Sequence, residues 1–417
     1  VTTSRDYPLE RIRASIPALA PGADGEAPAF FDGPGGTQVP STVVDAMTDY
    51  LTTRNANTHG AFATSRATDE TLSRARRTMA VFLGGSPDEV VFGANMTSLT
   101  YALSRALGRE WKAGDEIVVT EFDHQANVAP WRQVAEDRGL RVRTVPIERG
   151  SFTLDVDALE AVLSSRTRLV AVGAASNAVG TVTDVGRVAT LARSVGALCF
   201  VDAVHLAPHR AIDVASIDCD FLACSAYKFF GPHVGILWGR RELLAEYRPY
   251  KVPPAADSGP ERWETGTQNH EGIAGAAAAV AWIAGLGDAG ATSAMLQRAK
   301  LEAAWSAIRA HEERLLATLV EGLEAIPGVR LHGPGPGTDR TPTIAITLRD
   351  TAPRDVATRL AGDGIHVWDG DFYAPTVIGA LGLEGSGGVV RIGLAAYSSD
   401  RDIARLLETL ARISAGA

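Results

Sequence analysis

The stretch CDFLACSAYKFFGPHVGILWGR, Cys219–Arg240, sets two apolar runs around a single lysine, Lys228. CDFLACSAY and GILWGR each read as a strand, and neither alternates apolar with polar residues. A continuous apolar run marks a strand buried on both faces, as in a parallel sheet covered by helices. The same kind of run recurs upstream in GDEIVVTEFD, TRLVAVGAAS and ALCFVDAV. Amphipathic segments such as MTSLTYALSRAL, NVAPWRQVAEDRG and VGRVATLARSVG separate them. That alternation predicts an α/β fold with a mostly parallel, doubly wound sheet. Ligands of such sheets bind beyond the carboxyl ends of the strands.

The chain has 417 residues, which favours two domains. Downstream of a Pro/Gly/charge-rich loop, YKVPPAADSGPERWETGTQNHEG, the pattern changes. Two helices precede the strands VRLHG, TPTIAITL, IHVWDG and VVRIGLAAY, which suggests a smaller α+β domain. The expected division is an N-terminal segment at 1–27 packing near the small domain, a large domain at 28–275 and the small one at 276–417. The net charge of −9 disfavours nucleic acid or an anionic membrane as partner, since either wants a basic patch. Three cysteines, Cys199, Cys219 and Cys224, all read as strand-borne, and their number and spacing suggest a reducing, cytoplasmic setting. No signal-peptide core is expected at the N-terminus. The Ala-rich run from Gly272 is short for a membrane span, which needs about 20 apolar residues. The histidines lack metal-ligand spacing, and no G-x-G-x-x-G follows the first strand, so neither a metal nor a nicotinamide is expected.

Five strand ends carry polar residues that apolar packing does not require. EFDHQANVAPW has His124, AASNAVGT has Ser176 and Asn177, FVDAVHLAPH has Asp202 and His205, and CSAYK has Ser225, Tyr227 and Lys228. GANMTSLT brings Asn95, Thr97 and Ser98 into a helix N-terminus, a setting that binds phosphate. Together these suit pyridoxal phosphate, which needs a lysine, a carboxylate at its ring nitrogen, phosphate donors and a flat neighbour. Lys228 offers the amine, and apolar surroundings lower its pKa toward the neutral nucleophile. Asp202 offers the carboxylate and His124 the flat ring. Each residue has a plainer reading. An Asp or Asn at a strand end caps a turn, a lone lysine snorkels to solvent, and a lone histidine sits satisfied in a core. The coincidence of five strand ends is what favours the cofactor.

The ordered set EFDHQANVAPW, ASNAVGT, VDAVHLAPH, SAYKFFGPHVGIL and ETGTQN resembles the class V aminotransferase-fold enzymes, fold type I, in their cysteine desulfurase-like branch. The likeness runs from FFDGPGGTQVP to VVRIGLAAYSSDRDI. It implies that Lys228 forms the Schiff base, that Asp202 faces the ring nitrogen and that His124 stacks on the ring. It implies Asn177 and His205 near the phenolic oxygen, with His205 standing where the family often has Gln. Met96, Thr97, Ser225 and Tyr227 match phosphate ligands, and Tyr227 is closer to the kynureninase-type variant than to the desulfurase His. Gly266 and Thr267 match a loop that reaches the partner subunit's phosphate, which implies a homodimer. Arg391 matches the arginine that holds the substrate carboxylate.

Two departures narrow the chemistry. The desulfurase cysteine is missing from DGDFYAPTV, where Tyr373 or a neighbour stands in its place. RNANTHGAFATSRATD keeps Asn57, His59 and Gly60 but lacks the second His and the Arg of the family's loop, so His59 is a substrate-side candidate for a different substrate. Gly35 and Gly36 suggest room for a bulky one. The expected reaction passes through an external aldimine and ends in β-elimination, as in a C–S lyase, rather than in persulfide formation. Aminotransferase, epimerase, and decarboxylation-linked or oxygen-consuming outcomes stay open on the same scaffold. A non-catalytic module that merely retains the cofactor would be expected to lose Lys228, Asp202 or Arg391, and all three are present.

Overall fold

A computed structural model describes residues 7–22, 25–286, 297–335 and 337–416. Residues 1–6 and 23–24 of the N-terminal segment lie outside the described residues.

Seven strands make the larger sheet: β1 (Val90–Gly93), β2 (Glu116–Thr120), β3 (Arg141–Val145), β4 (Thr167–Gly173), β5 (Leu198–Asp202), β6 (Phe221–Ser225) and β7 (Gly235–Gly239). Their spatial order is β1-β7-β6-β5-β4-β2-β3. β7 runs antiparallel to both neighbours, and every other pairing is parallel. Helices cover both faces: α1 (Ser41–Asp49), α2 (Ala63–Leu83), α3 (Met96–Gly108), α4 (Ala129–Arg138), α5 (Val185–Ser194) and α6 (His270–Ala284).

The apolar runs are continuous because successive residues point to opposite, equally covered faces. On β6, Leu222 and Cys224 pack with Phe82 of α2 and Val188 of α5. Phe221 and Ala223 pack on the other face with Leu103 of α3 and Trp131 of α4. Ala-rich α6 lies against α1 and α2, with Ala276 and Val280 fully buried. No helix among the described residues is long and apolar enough to cross a membrane. Cys199 and Cys224 lie on β5 and β6 as expected, but Cys219 lies in the turn after the short helix Val214–Ile217, not on a strand. The left-handed Asp218 ends that helix and leaves only this turn before β6 begins.

A second, all-antiparallel sheet has the order β8-β9-β11-β10, from β8 (Val329–His332), β9 (Thr343–Leu348), β10 (Trp368–Gly370) and β11 (Val389–Gly393). It packs with α7 (Arg298–Glu324), α8 (Pro353–Gly362) and α9 (Asp400–Ser414). Helix α7 serves both cores. Leu301, Trp305 and Ile308 join the larger one, while Leu315, Leu319 and Leu323 join the smaller. The N-terminal stretch is tied to the C-terminal half of the chain: the Tyr7 hydroxyl donates to Ala396 O at 2.8 Å, and Arg13 pairs with Asp402 at 2.8 Å.

IHVWDG reads as one strand but divides between two sheets. Ile365–His366 pairs in parallel with Ala29–Phe30, while Trp368–Gly370 pairs with β11. Asp32 then bridges to Gly393, which seats the DGPGG turn beside the end of β11. The carboxyl ends of the large sheet, this turn and β10–β11 therefore meet at one place.

Candidate active site

These elements enclose a cavity of about 550 Å³. Met96, Thr97, His124, Asn177, Asp202, His205, Ser225, Tyr227, Lys228 and Arg391 all line it, as do Gly35 and Tyr373. The expected site residues of five strand ends thus converge with two from the smaller sheet's side.

Lys228 ends the single 3-10 turn that follows β6. Its Nζ donates to the Pro34 carbonyl and lies 4.9 Å from the centre of the Tyr227 ring. Burial first, and then the charge of Arg391, lower its pKa to about 7. Capture of an aldehyde cofactor by the unoccupied protein is expected to speed up with pH through a midpoint near 7, not near 10.5. Stopped-flow absorbance of reconstitution between pH 6 and pH 9 measures this. The sign follows because only the unprotonated amine attacks.

Asp202 ends β5 and is 8 % exposed, and its Oδ1 accepts the Val204 N–H at 3.0 Å. Burial raises its pKa to about 6. Its neighbour Asp123 is a residue that the sequence reading misses. Asp123 Oδ1 accepts the Gly173 N–H at 2.5 Å and Oδ2 accepts the Asn127 amide at 3.3 Å. Burial, then the charge of Asp202, push its pKa well above the usual carboxylate range. His124 Nδ1 accepts the Ala126 N–H at 3.0 Å, so its proton sits on Nε2. Burial, Lys228 and Arg391 lower its pKa to about 4, which keeps the ring neutral at ordinary pH.

The first turn of α3 holds the groups expected to bind an anion. Asn95 Oδ1 accepts the Ser98 N–H at 2.9 Å, and the Met96 N–H donates to Ser225 Oγ at 3.0 Å. The Thr97 N–H has no protein acceptor among the described residues, and the Ser225 hydroxyl keeps its own proton to donate. Tyr227 stacks on His233 at 5.0 Å and covers Gly36.

His205 Nε2 meets the hydroxyls of Thr341 and Thr343, each at 3.1 Å, and burial holds the ring neutral. Asn177 donates from Nδ2 to Phe372 O at 2.9 Å, and its Oδ1 is buried with no partner among the described residues. Arg391 is 4 % exposed; Nη1 donates to Asn177 O at 3.0 Å, while Nε is buried, likewise with no partner among the described residues. Burial lowers its pKa to about 9. Asp32, also missed, has a buried Oδ1 with no partner among the described residues; burial raises its pKa to about 6 against the pull of Arg391 and Lys228.

Three expected residues stand elsewhere. His59 lies outside the cavity: its side chain is 83 % exposed and its Nδ1 lies 3.4 Å from Asp69. The Asp69 carboxylate also accepts the His59 N–H, which holds the loop outward. Gly266 and Thr267 are exposed and outside the cavity, and Thr267 lines a separate groove with Ser98 and Leu99. The start of their loop is anchored where the Glu264 side chain pairs with Arg76 at 2.7 Å and accepts the Phe92 N–H. The expected room at Gly35 is filled, since the Trp368 indole lies where a Cβ would project.

The donor set fits pyridoxal phosphate. It supplies a near-neutral lysine amine, a buried carboxylate, a neutral flat ring, donors at a helix N-terminus, and, on two cavity-lining residues, buried polar atoms without a partner among the described residues. A model of the family Aminotransferase class-V matches residues 29–406. The chain belongs to that family. It is 32 % identical to a cysteine desulfurase of Pectobacterium carotovorum, over 98 % of each chain. Its structure is similar to an apo cysteine desulfurase of Thermococcus onnurineus, with a TM-score of 0.87, 26 % identity and 98 % of each chain covered. It is also similar to a cysteine desulfurase of Escherichia coli, with a TM-score of 0.83, 26 % identity, and coverage of 99 % of this chain and 98 % of that one. The fold is that of the fold type I enzymes, and the cofactor of this family is pyridoxal phosphate.

Proposed function

We propose that this class V enzyme cleaves a carbon–sulfur bond of an amino-acid conjugate by β-elimination, and does not form a persulfide. The observation that carries the reading is Tyr373 on the loop where a desulfurase would need its acceptor cysteine. The three cysteines are at most 1 % exposed within the large-sheet core, and burial raises their thiols, that of Cys219 to about 12. A buried, protonated thiol is a poor nucleophile.

Bound pyridoxal phosphate supplies an electron-accepting ring to a substrate amine. Lys228 would hold it, with Asp202 at the ring nitrogen, His124 on the ring face, and the Thr97 N–H and Ser225 hydroxyl on the phosphate. Asn177 keeps Oδ1 as an acceptor, because its Nδ2 is engaged with Phe372 O. Arg391 would take the substrate carboxylate through a fork of charge-assisted hydrogen bonds. Lys228, once displaced by the substrate amine, is the group that accepts the α-proton. The Cα–H and Cβ–S bonds then break, the thiol leaves, and water releases pyruvate and ammonia. Tyr373 serves as acid or as wall, and its 71 % exposure supports the wall. Gly266 and Thr267, held outside this chain's cavity, suit a homodimer in which each subunit completes the other's site.

Incubation of the holoprotein with S-methyl-L-cysteine tests the reaction. Equal amounts of pyruvate, ammonia and thiol are expected. Alanine formed from L-cysteine with protein-bound persulfide would restore desulfuration instead. A keto acid that keeps the sulfur would indicate transamination, and the D-amino acid would indicate epimerisation.

A further inference from the structure

We propose that the Trp368–Tyr373 segment selects an amino acid whose side chain carries a large aromatic group. The proposal rests on the reading above that the site takes an amino-acid-type substrate.

The cavity has two unlike halves. The strand ends supply the groups suited to the cofactor. The remaining wall is Pro34, Gly35, Arg391 and the whole Trp368–Tyr373 segment, which brings three aromatic rings together with Asp369, Gly370 and Asp371. The Trp368 indole lies directly on Gly35, so the glycine is what lets the ring lie against the DGPGG turn. Phe372 and Tyr373 both have φ of 56°, in the left-handed region that non-glycine residues avoid. Such backbone persists only where its surroundings over-determine it. Here they do: Asn177 donates to Phe372 O at 2.9 Å, the Gln125 N–H donates to Tyr373 O at 2.8 Å, and the Tyr373 N–H reaches Asp371 Oδ1 at 3.0 Å. Two residues of the strand-end motifs thus hold the aromatic pair in place.

The Phe372 ring covers one face of Arg391, with the guanidinium carbon 4.0 Å from the ring centre. One N–H of Nη1 is bound to Asn177 O, so the buried Nε, its neighbour Nη2 and the second Nη1 N–H remain as donors in the guanidinium plane. A carboxylate docks there edge-on, at the foot of the aromatic wall. Above it, Trp368 is 49 % and Tyr373 71 % exposed although both line the cavity. The ring contact of Tyr373 is His124, at 5.4 Å. Asp369 pairs with Arg354 at 3.1 Å, and exposed Asp371 accepts the Tyr373 N–H on Oδ1 while still lining the cavity, which is why L-lysine is among the ligands below. What the mouth offers an incoming side chain is aromatic faces, which favour an aromatic partner over an aliphatic stub.

Titration of the holoprotein, followed by its visible absorption, decides this without turnover. The ligands are L-alanine, S-methyl-L-cysteine, L-lysine, L-phenylalanine and S-benzyl-L-cysteine. The two aromatic amino acids are expected to bind at least about tenfold more tightly than alanine or the S-methyl compound. In Trp368→Ala the gap should close to within about twofold. Tyr373→Ala, at a largely exposed side chain that should spare the fold, should close most of it as well. Equal binding of the benzyl and methyl compounds, or tightest binding of lysine, overturns the proposal and leaves the amino-acid reading standing. A spectrum that responds to none of the five overturns that reading, and this proposal with it.

Discussion

Replacing Lys228 by alanine is expected to abolish the visible band of the lysine-bound cofactor and to lower turnover by at least about 10⁴-fold. The size follows from two losses at one atom. In the proposed mechanism Nζ is both the nucleophile that would hold the cofactor and the proton carrier at Cα. Stability of the cofactor-free protein should move the other way. The folded pKa is about 7 against an ordinary 10.5, so between those values the unfolded chain binds the proton that the folded chain has shed. Stability from this group therefore rises with pH from about 7 to 10.5, and at pH 7 the buried amine costs on the order of a few kcal/mol. Lys228→Ala should remove that slope. Urea unfolding of the wild type and the variant at pH 7 and at pH 9.5 measures it. A variant that lost both the band and the fold would make Lys228 a packing residue instead.

The sheet was legible because burial on both faces writes itself into consecutive residues. β6 shows this: Phe221 and Ala223 face one core, and Leu222 and Cys224 face the other. Lys228, Asp202 and His124 were legible because polar side chains at the ends of such runs have no packing reason to be there. What was hidden depends on contacts between distant segments. Asp123 precedes His124 in the same motif, but only the fold shows that it too turns inward, toward Gly173 and Asn127. Asp32 acquires its neighbours when its strand end bridges to Gly393. Trp368 sits in a run that reads as one strand, and its side-chain direction follows from the division of that run between two sheets. The same division fills the space that Gly35 suggested was open. His59 was placed near substrate by likeness of a loop, while a local contact with Asp69 holds it outward. The part assigned to Gly266 and Thr267 needs a second subunit, which no pattern within one chain can position.

Asp202→Asn should lower kcat on the order of 10³-fold while leaving the lysine-linked band in place. The substitution keeps the shape, and the amide oxygen can still accept the Val204 N–H. It deletes the charge that would hold the ring nitrogen protonated, so the ring loses its capacity to accept electrons but not its attachment. Steady-state kinetics with the band as a loading control separates these effects. Stability again carries the opposite sign. Burial raises the Asp202 pKa to about 6 from 3.8, so its folded form holds a proton that the unfolded form has lost. That contribution is complete below about pH 3.8 and gone above about pH 6, where the carboxylate must ionise beside Asp123. At pH 7 the cofactor-free Asp202→Asn protein should therefore be more stable than wild type by on the order of 2–3 kcal/mol. At pH 4 the gain should be largely absent. Activity that falls while stability rises, with the rise growing from about pH 4 and levelling off above about pH 6, is the signature of a carboxylate kept against its folding cost for the charge it presents to the cofactor. A variant destabilised equally at both pH values would instead give Asp202 a structural part at the end of β5.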